Sequence, residues 1–306
     1  MTAYILRRLI FSVFVLWGAL TIVFVAVRII PGDPAQLMAG SQASAADVAA
    51  LRHTLGLDRA MPVQYAQFIG QVARLDLGQS LRLNQPAIQA VAGRFKATAT
   101  LALTAMLVAA LLSFSLGVVA ALRPRSAIDA VVSIFSLLGQ SVPSFWLGLM
   151  FILIFARRLR WLPSSGIGGL NHLVLPALTL ALPLVGVLTR LIRSGLLEVL
   201  NEEYIRTAQA KGLTQRTVIV RHALRNMFIP VVTVAGLQLG SLLGGAVIVE
   251  TVFGWPGAGQ LLVTAIGNRD YPVVQAGILM ITGGFVLINL LVDISYGYLD
   301  PRVRYT

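Results

Sequence analysis

The stretch EYIRTAQAKGLTQRTVIVRHALRNMFIP, residues 203–230, decides the fold. It is basic and helix-forming, yet it lies between long hydrophobic segments. Small residues (Ala208, Ala210) lead to a glycine break at Gly212 and a second amphipathic run, and Pro230 opens the next apolar segment. The pattern suits a membrane subunit that seats short helices against a separate soluble partner.

Working outward, the composition is that of an integral membrane protein. Of 306 residues, 57% are hydrophobic and 12% charged, against about 25% charged in soluble domains. Mean hydropathy is +0.82. Several apolar stretches reach the roughly twenty residues needed to cross a hydrocarbon core about 30 Å thick. Spans are expected near Leu9–Ile30, Thr98–Leu122, Val131–Phe155, Leu173–Ile192, Ile229–Val249 and Val274–Tyr296. Backbone groups in lipid must be satisfied within the segment, so these spans should be helices. The expected fold is an all-α, six-helix membrane protein. It divides into residues 1–30 (N-terminus and first helix), a helical outer loop at 31–97, and a core at 98–306 that includes a cytoplasmic loop at 194–228.

The net charge of +12 sits in clusters at span ends, not along one stripe, which argues against nucleic-acid binding. Arg7, Arg8, Arg123, Arg125, the basic residues from Arg190 to Arg225, and Arg302 and Arg304 all fall on one side. By the positive-inside rule that side is cytoplasmic, as are both termini. The trio Arg157, Arg158 and Arg160 runs against the rule. The first apolar run is too long for a signal sequence and ends in Pro31-Gly32-Asp33-Pro34 without a small-residue cleavage site, so it reads as a retained helix.

In the outer loop, Ser44 can cap a helix with Asp47 at its third position, and Gly56 can end it. Tyr65, Phe68, Ile69 and Val72 share one face of a second helix opened by Pro62. Pro176 and Pro183 should kink the fourth span. Gly236, Gly240 and Gly244 line one face of the fifth, and serve either internal packing or a seam with a second subunit. Gln140, Ser141, Ser144, Gln238 and Glu250 are the candidate pathway or gate residues, since polar groups at membrane depth tend to face a bundle interior or a water-filled path. Gln140 and Gln238 lie deepest. For Glu250 and Asp293, near span ends, interfacial solvation competes with that role.

Catalytic chemistry has no positive support. Neither lysine, Lys96 or Lys211, stands in a phosphate-cradling G-x-x-x-x-G-K-[ST] pattern. His53, His172 and His222 lack metal-ligand spacing, and cysteine is absent. No catalytic, cofactor or metal residue is therefore assigned to this chain.

The residues resemble a known family along nearly the whole chain: the membrane subunits of ABC importers for dipeptides, oligopeptides and nickel, in the branch of the first of two paired permeases. The resemblance rests on YILRRLI…RIIPGDPA (Tyr4–Ala35), LGLD…PVQY (Leu55–Tyr65), LDLGQSL (Leu75–Leu81), VPSFWLG (Val142–Gly148), WLPSSG (Trp161–Gly166), the 203–230 loop, VETVFGWPGAGQLL (Val249–Leu262), NRDYPVVQ (Asn268–Gln275) and DPRVR (Asp300–Arg304). It implies the type I permease fold, and a role for the loop as the coupling element that docks on an ATPase. Such permeases carry an E-A-A-x-x-x-G signature. Aligning Gly212 with its glycine puts Arg206, Thr207 and Ala208 in the E-A-A slots, so Ala208 and Gly212 match and the glutamate is replaced by arginine. The segment that follows, to Pro230, is also longer than the general pattern. No role passes to Glu203.

The expected coupling residues are Arg206, Thr207, Ala208, Ala210, Lys211, Gly212, Arg216, Arg221 and Arg225. Ala208 and Gly212, four apart, should leave a smooth docking patch, with the arginines meeting acidic groups or helix carboxyl ends. Without the resemblance, such a loop reads equally as positive-inside topology touching lipid headgroups. The implied partners are a second homologous permease, two ABC ATPases that hold ATP and Mg, an extracytoplasmic binding protein, a peptide substrate and the lipid bilayer of the bacterial inner membrane. Nickel complexes or glutathione are alternative substrates. A stand-alone secondary transporter or channel is the alternative of another class, but inverted repeats and midplane ionisable residues are not seen. A structural membrane scaffold is a third reading.

Overall fold

The computed structural model describes residues 2–29, 35–36, 43–54, 56–80 and 82–299. The turn Pro31–Pro34, Leu55, Leu81 and the terminal Asp300, Arg302 and Arg304 lie outside these residues. The described chain is helical, with one two-stranded hairpin. In chain order the elements are α1 (Thr2–Ile29), α2 (Ala45–Thr54), α3 (Met61–Ala73), β1 (Gln79–Ser80), β2 (Gln85–Pro86), α4 (Ala87–Leu122), α5 (Ala127–Ser141) and α6 (Ser144–Phe151, continuing as a π-helical stretch to Arg158). They continue with α7 (Leu170–Leu200), α8 (Glu203–Ala210), α9 (Gln215–Thr217), a π-helical stretch Val218–Ala223, α10 (Leu224–Phe253), α11 (Ala258–Gly267) and α12 (Tyr271–Leu299). Among the described residues five helices are long and apolar enough to cross a membrane, or six if the bent pair α5–α6 counts as one span.

That bent pair corrects the third expected span. Val131–Phe155 is not one straight helix: α5 and α6 meet at 104°. Pro143 offers no N–H and drives the residue before it out of the α region, and Val142 accordingly has φ −86° and ψ 125°. Hydropathy averages over such a break because both arms are apolar. Elsewhere the helices outrun the expected spans. The 36 residues of α4 make a rod about 54 Å long, which begins at Ala87 where Thr98 was expected. Residues 87–97 include Arg94 and Lys96, so hydropathy misses a segment that helical hydrogen bonding continues beyond the apolar core. Helix α7 runs unbroken through both Pro176 and Pro183.

The centre of the bundle is the seam between α4 and α7, closed by α10. Leu101, Ala105 and Ala109 of α4 cluster with Leu180, Ala181 and Leu184 of α7 and with Val249 and Phe253 of α10. Lipid tails are as apolar as these side chains, so close packing holds the helices together, and it demands small residues. At Gly117 a Cβ would stand 2.7 Å from Ile192 Cγ2, so glycine is required for that approach. The face of α10 bearing Gly236 and Gly240 is used internally: a Cβ at Gly236 would meet Val292 at 2.2 Å, and one at Gly240 would meet Phe285 at 3.1 Å. Gly244 faces open space. Phe11, Phe14, Leu107, Leu111 and Phe135 are exposed, as expected of a lipid-facing surface.

Residues 61–80 dock on one end of the bundle, and the helix Ala45–Thr54 precedes them. Ser44 Oγ accepts from Asp47 N (3.2 Å) and donates to its carboxylate (2.7 Å). The hydroxyl bond, with a second from Ser44 N at 3.1 Å, holds the Asp47 carboxyl below the usual carboxylate range. Gly56, at φ +64°, follows α2 in a conformation that glycine adopts without a Cβ clash. Phe68 and Leu77 pack with Leu20, Val23 and Phe24 of α1 and with Val273 and Val274 of α12. Polar ties add direction: Thr21 Oγ1 and the Tyr65 hydroxyl lie 2.7 Å apart, and Ser80 Oγ donates to Asp270 Oδ2 at 2.5 Å.

Candidate functional site

The 203–230 segment folds as two short helical units that turn back under the bundle at the end opposite residues 61–80. Helix α8 is strongly amphipathic. Ile205 and Ala208 face inward and join Ile192, Leu196, Val218, Ala223, Met227 and Ala121 in one buried cluster. Gly212, at φ +79°, turns the chain, and Thr214 caps the next unit by accepting from Thr217 N at 3.4 Å. Asn226 Nδ2 donates to the Tyr204 hydroxyl at 2.7 Å and ties α8 to α10.

Arg206, Thr207, Ala210, Lys211, Gly212, Arg216, Arg221 and Arg225 are all exposed. Among the described residues none of these cations has a carboxylate within ion-pair distance. The expected Ala208–Gly212 patch is not formed. Helix α8 stops at Ala210, so helical spacing does not reach Gly212, and Ala208 packs against the chain itself. The surface offered outward is cationic and polar, with Gly212 bordering open space.

The pathway candidates separate into three environments. Gln140 and Ser141 close α5 and Ser144 opens α6, so all three sit at the bend. Gln140 Oε1 accepts from Arg190 Nη2 at 2.5 Å, while its Nε2 donates to Ser136 O at 3.2 Å. Ser141 is exposed and Ser144 partly so. Gln238 is half-buried on α10.

Glu250 is neither solvated at an interface nor open to a path: its exposure is 0%. Its Oε1 accepts from Thr98 Oγ1 of α4 (2.6 Å) and its Oε2 from Gln260 N (2.9 Å). Thr98 Oγ1 in turn accepts from Ala258 N at 2.8 Å. Together the two side chains satisfy N–H groups in the first turn of α11, groups that the helix itself leaves unpaired. A Cβ on Gly257 would lie 2.2 Å from Glu250 Oε1, and one on Gly259 would lie 2.7 Å from Val247 Cα. The glycines of the WPGAGQ turn thus make room for the carboxylate and the backbone. Trp255 Nε1 closes the knot on Ala97 O at 3.0 Å. Asp293 is likewise not merely solvated, since it pairs with Arg8 at 2.8 Å.

Sequence reasoning missed Thr98, a plain threonine in an apolar run whose partner lies 152 residues away. It also missed the Asp129–Arg193 ion pair between α5 and α7, where Arg193 Nη2 donates to Asp129 Oδ2 at 2.8 Å and Nε bonds the other oxygen. Arg190 and Arg193 had counted only as topological charges. Their spacing of three, placing them on neighbouring parts of one helix face, was the available signal.

Comparison with known proteins fits this architecture. Residues 113–305 match the family described as "Binding-protein-dependent transport system inner membrane component", and residues 1–102 match its N-terminal companion. The dipeptide transport system permease protein DppB of Alkalihalophilus pseudofirmus is 42% identical over the full length of both chains. The glutathione transport system permease protein GsiC of Salmonella choleraesuis is also 42% identical over the full length of both. A probable peptide ABC transporter permease protein, y4tP, of Sinorhizobium fredii is 40% identical over both full lengths. The fold is similar to that in the inward-facing MetNI methionine ABC transporter, with a TM-score of 0.57 at 18% identity, covering 69% of this chain and 96% of the other. Helices long enough to span a bilayer, a basic two-unit loop at one end and matches over the full length lead to one conclusion: this chain is a multi-pass membrane protein that belongs to the binding-protein-dependent transport system inner membrane component family.

Proposed function

We propose that the chain is the translocating subunit of an ATP-driven importer of short peptides, and that residues 203–230 are its coupling element. The observation that carries this reading is the folded loop itself: Ile205 and Ala208 anchor it to the bundle, while Arg206, Lys211, Arg216, Arg221 and Arg225 stand outward with no counter-charge among the described residues. Such a surface fits acidic groups or helix carboxyl ends on a soluble partner. Two ATPase subunits would grip this loop and its counterpart on a second homologous permease. ATP and Mg would be held on those partners and no cofactor on this chain. An extracytoplasmic binding protein would deliver substrate to the side where residues 61–80 lie. Closure of the ATPases would tilt the bundles and alternate access, without covalent chemistry here. The setting is the bacterial inner membrane with both termini cytoplasmic, as the clustered arginines favour.

The peptide class is supported by the full-length relatives whose names specify dipeptide or peptide transport. Glutathione, itself a tripeptide, is the second reading, favoured by the GsiC relatives. The experiment is affinity purification of the tagged chain from native membranes, with mass spectrometry of what accompanies it. Recovery of a second permease and ATPases is expected. A chain that purifies alone and still moves solute refutes the reading.

A further inference from the structure

Two arginines stand three residues apart on α7, and they are treated differently. Arg193 is neutralised by Asp129 through two hydrogen bonds. Arg190 is exposed, and among the described residues it has no carboxylate partner. It is nevertheless held in place: Nη2 donates to Gln140 Oε1 at 2.5 Å, and Gln140 is fixed in turn by Ser136 O. One hydrogen bond to a neutral amide leaves most of the five guanidinium N–H donors free.

The depth of this head group can be read from the packing. Helices α5 and α7 run antiparallel, with Asp129 against Arg193, Ser136 O against Gly186, and Gly139 against Leu182 O. Gln140 packs on Gly186, where its Nε2 lies 2.9 Å from the position of a Cβ. Helical side chains lean toward the helix N-terminus, so the Arg190 head rises to meet Gln140 near the level of Gly186. That level is about 10 Å farther into the span than the backbone of Arg193. An exposed, positioned and unneutralised guanidinium at such a depth is costly against lipid tails, and such groups face a water-filled path. The Arg190 head also borders the α5–α6 bend, where Ser141 is exposed.

We infer that Arg190, oriented by Gln140, is an oxyanion-binding point on the translocation pathway that takes the carboxylate of the transported peptide. The inference rests on the peptide-importer reading above for the identity of the anion. A planar guanidinium with free paired donors matches a carboxylate in geometry and charge. Gln140 contributes by holding the side chain in one rotamer and leaving the outward donors unblocked. A lipid phosphate offers the same oxyanion chemistry from the bilayer, and the test separates the two.

The chain has no cysteine, so Ser141→Cys and Ser194→Cys can each report on this spot in the assembled transporter. Ser194 is exposed one turn from Arg190 and bonds its carbonyl at 2.8 Å. Thiol labelling is compared for the anionic sulfonatoethyl and the cationic trimethylammonioethyl methanethiosulfonates. The anionic reagent should react about fivefold faster or more, and adding Arg190→Gln should abolish the bias. No labelling by either charged reagent would mean a lipid-facing or occluded surface, and overturns the inference. A bias that survives Arg190→Gln overturns it as well. In proteoliposomes carrying the full transporter and its binding protein, uptake of trialanine is compared with that of trialanine amide. Arg190→Gln should lower the free-to-amide uptake ratio about tenfold, with Arg190→Lys intermediate, and an unchanged ratio sinks the carboxylate assignment. Wild-type transporter that imports no peptide refutes the peptide reading instead, and the labelling bias still decides whether the site exists.

Discussion

The polypeptide turns at both ends of α10, and the two turns are built on opposite rules. At residues 250–260 polar groups close on one another. Glu250 is fully buried, Thr98 bridges it to Ala258 N, and Gly257 and Gly259 leave no spare volume around the carboxylate. At residues 203–230 the apolar groups close on one another, while the arginines and Lys211 point away from the chain. A buried polar group without a partner is costly in a low-dielectric interior, so the first turn holds a single arrangement. Exposed cations cost little to leave unpaired, so the second can exchange water for a partner surface. One end of the helix is a fixed joint and the other is an exposed cationic surface, the one proposed above to dock a partner.

The largest effects should come from breaking the joint. Glu250→Ala leaves the Thr98 hydroxyl proton and Gln260 N without their acceptor and opens a cavity. The expected cost is about 2–5 kcal/mol, read as a lower unfolding temperature and lower yield of the purified complex. Glu250→Gln keeps the volume and one acceptor and should fall between; equal losses for both would mean that the paired carboxylate acceptors, not the side-chain volume, hold the turn. Gly259→Ala drives a Cβ against the Val247 backbone and should cost about 1–3 kcal/mol by the same measurement.

On the docking side, Gly212→Arg should leave folding and membrane insertion nearly intact, because the position borders open space and carries only the strain of a positive φ. Uptake and transport-coupled ATP hydrolysis should be lost. Unchanged uptake would end the coupling-loop assignment. Arg193→Ala tests the region between them. Its ion pair is partly solvent-exposed, so the loss of stability should be about 1 kcal/mol, smaller at high salt. Least of all should follow from Arg221→Ala, an exposed residue. Stability should not move measurably, while the affinity of the complex for its ATPases should weaken and become less salt-sensitive.

These contrasts track what could be read beforehand. The amphipathic 203–214 pattern is local: small and apolar residues alternate with cations within two helical turns, so the exposed set was legible. What was misjudged there is the facing of Ala208, because an i, i+4 pair shares a face only while the helix lasts, and α8 ends before Gly212. At the other turn, Glu250 sits at the end of an apolar run where interfacial water is the default partner. Its true partners are supplied by α4 and by the start of α11. The third span failed for a related reason, since Pro143 breaks the helix without interrupting the hydropathy that announces a span.

The sequence by itself determined the class of structure, because hydrophobic length and the need to satisfy backbone hydrogen bonds in lipid leave helices as the solution for such segments. It also determined the family, through motifs ordered along the whole chain, and the basic loop at one end of the bundle. Only the tertiary structure decided which polar residues are structural and which stand free. Glu250 became a cap, Arg193 a neutralised partner, and Arg190 an exposed guanidinium held by Gln140. The physical reason is that a polar group in a membrane is governed by what lies within about 3 Å of it, and those neighbours come from helices far apart in the chain.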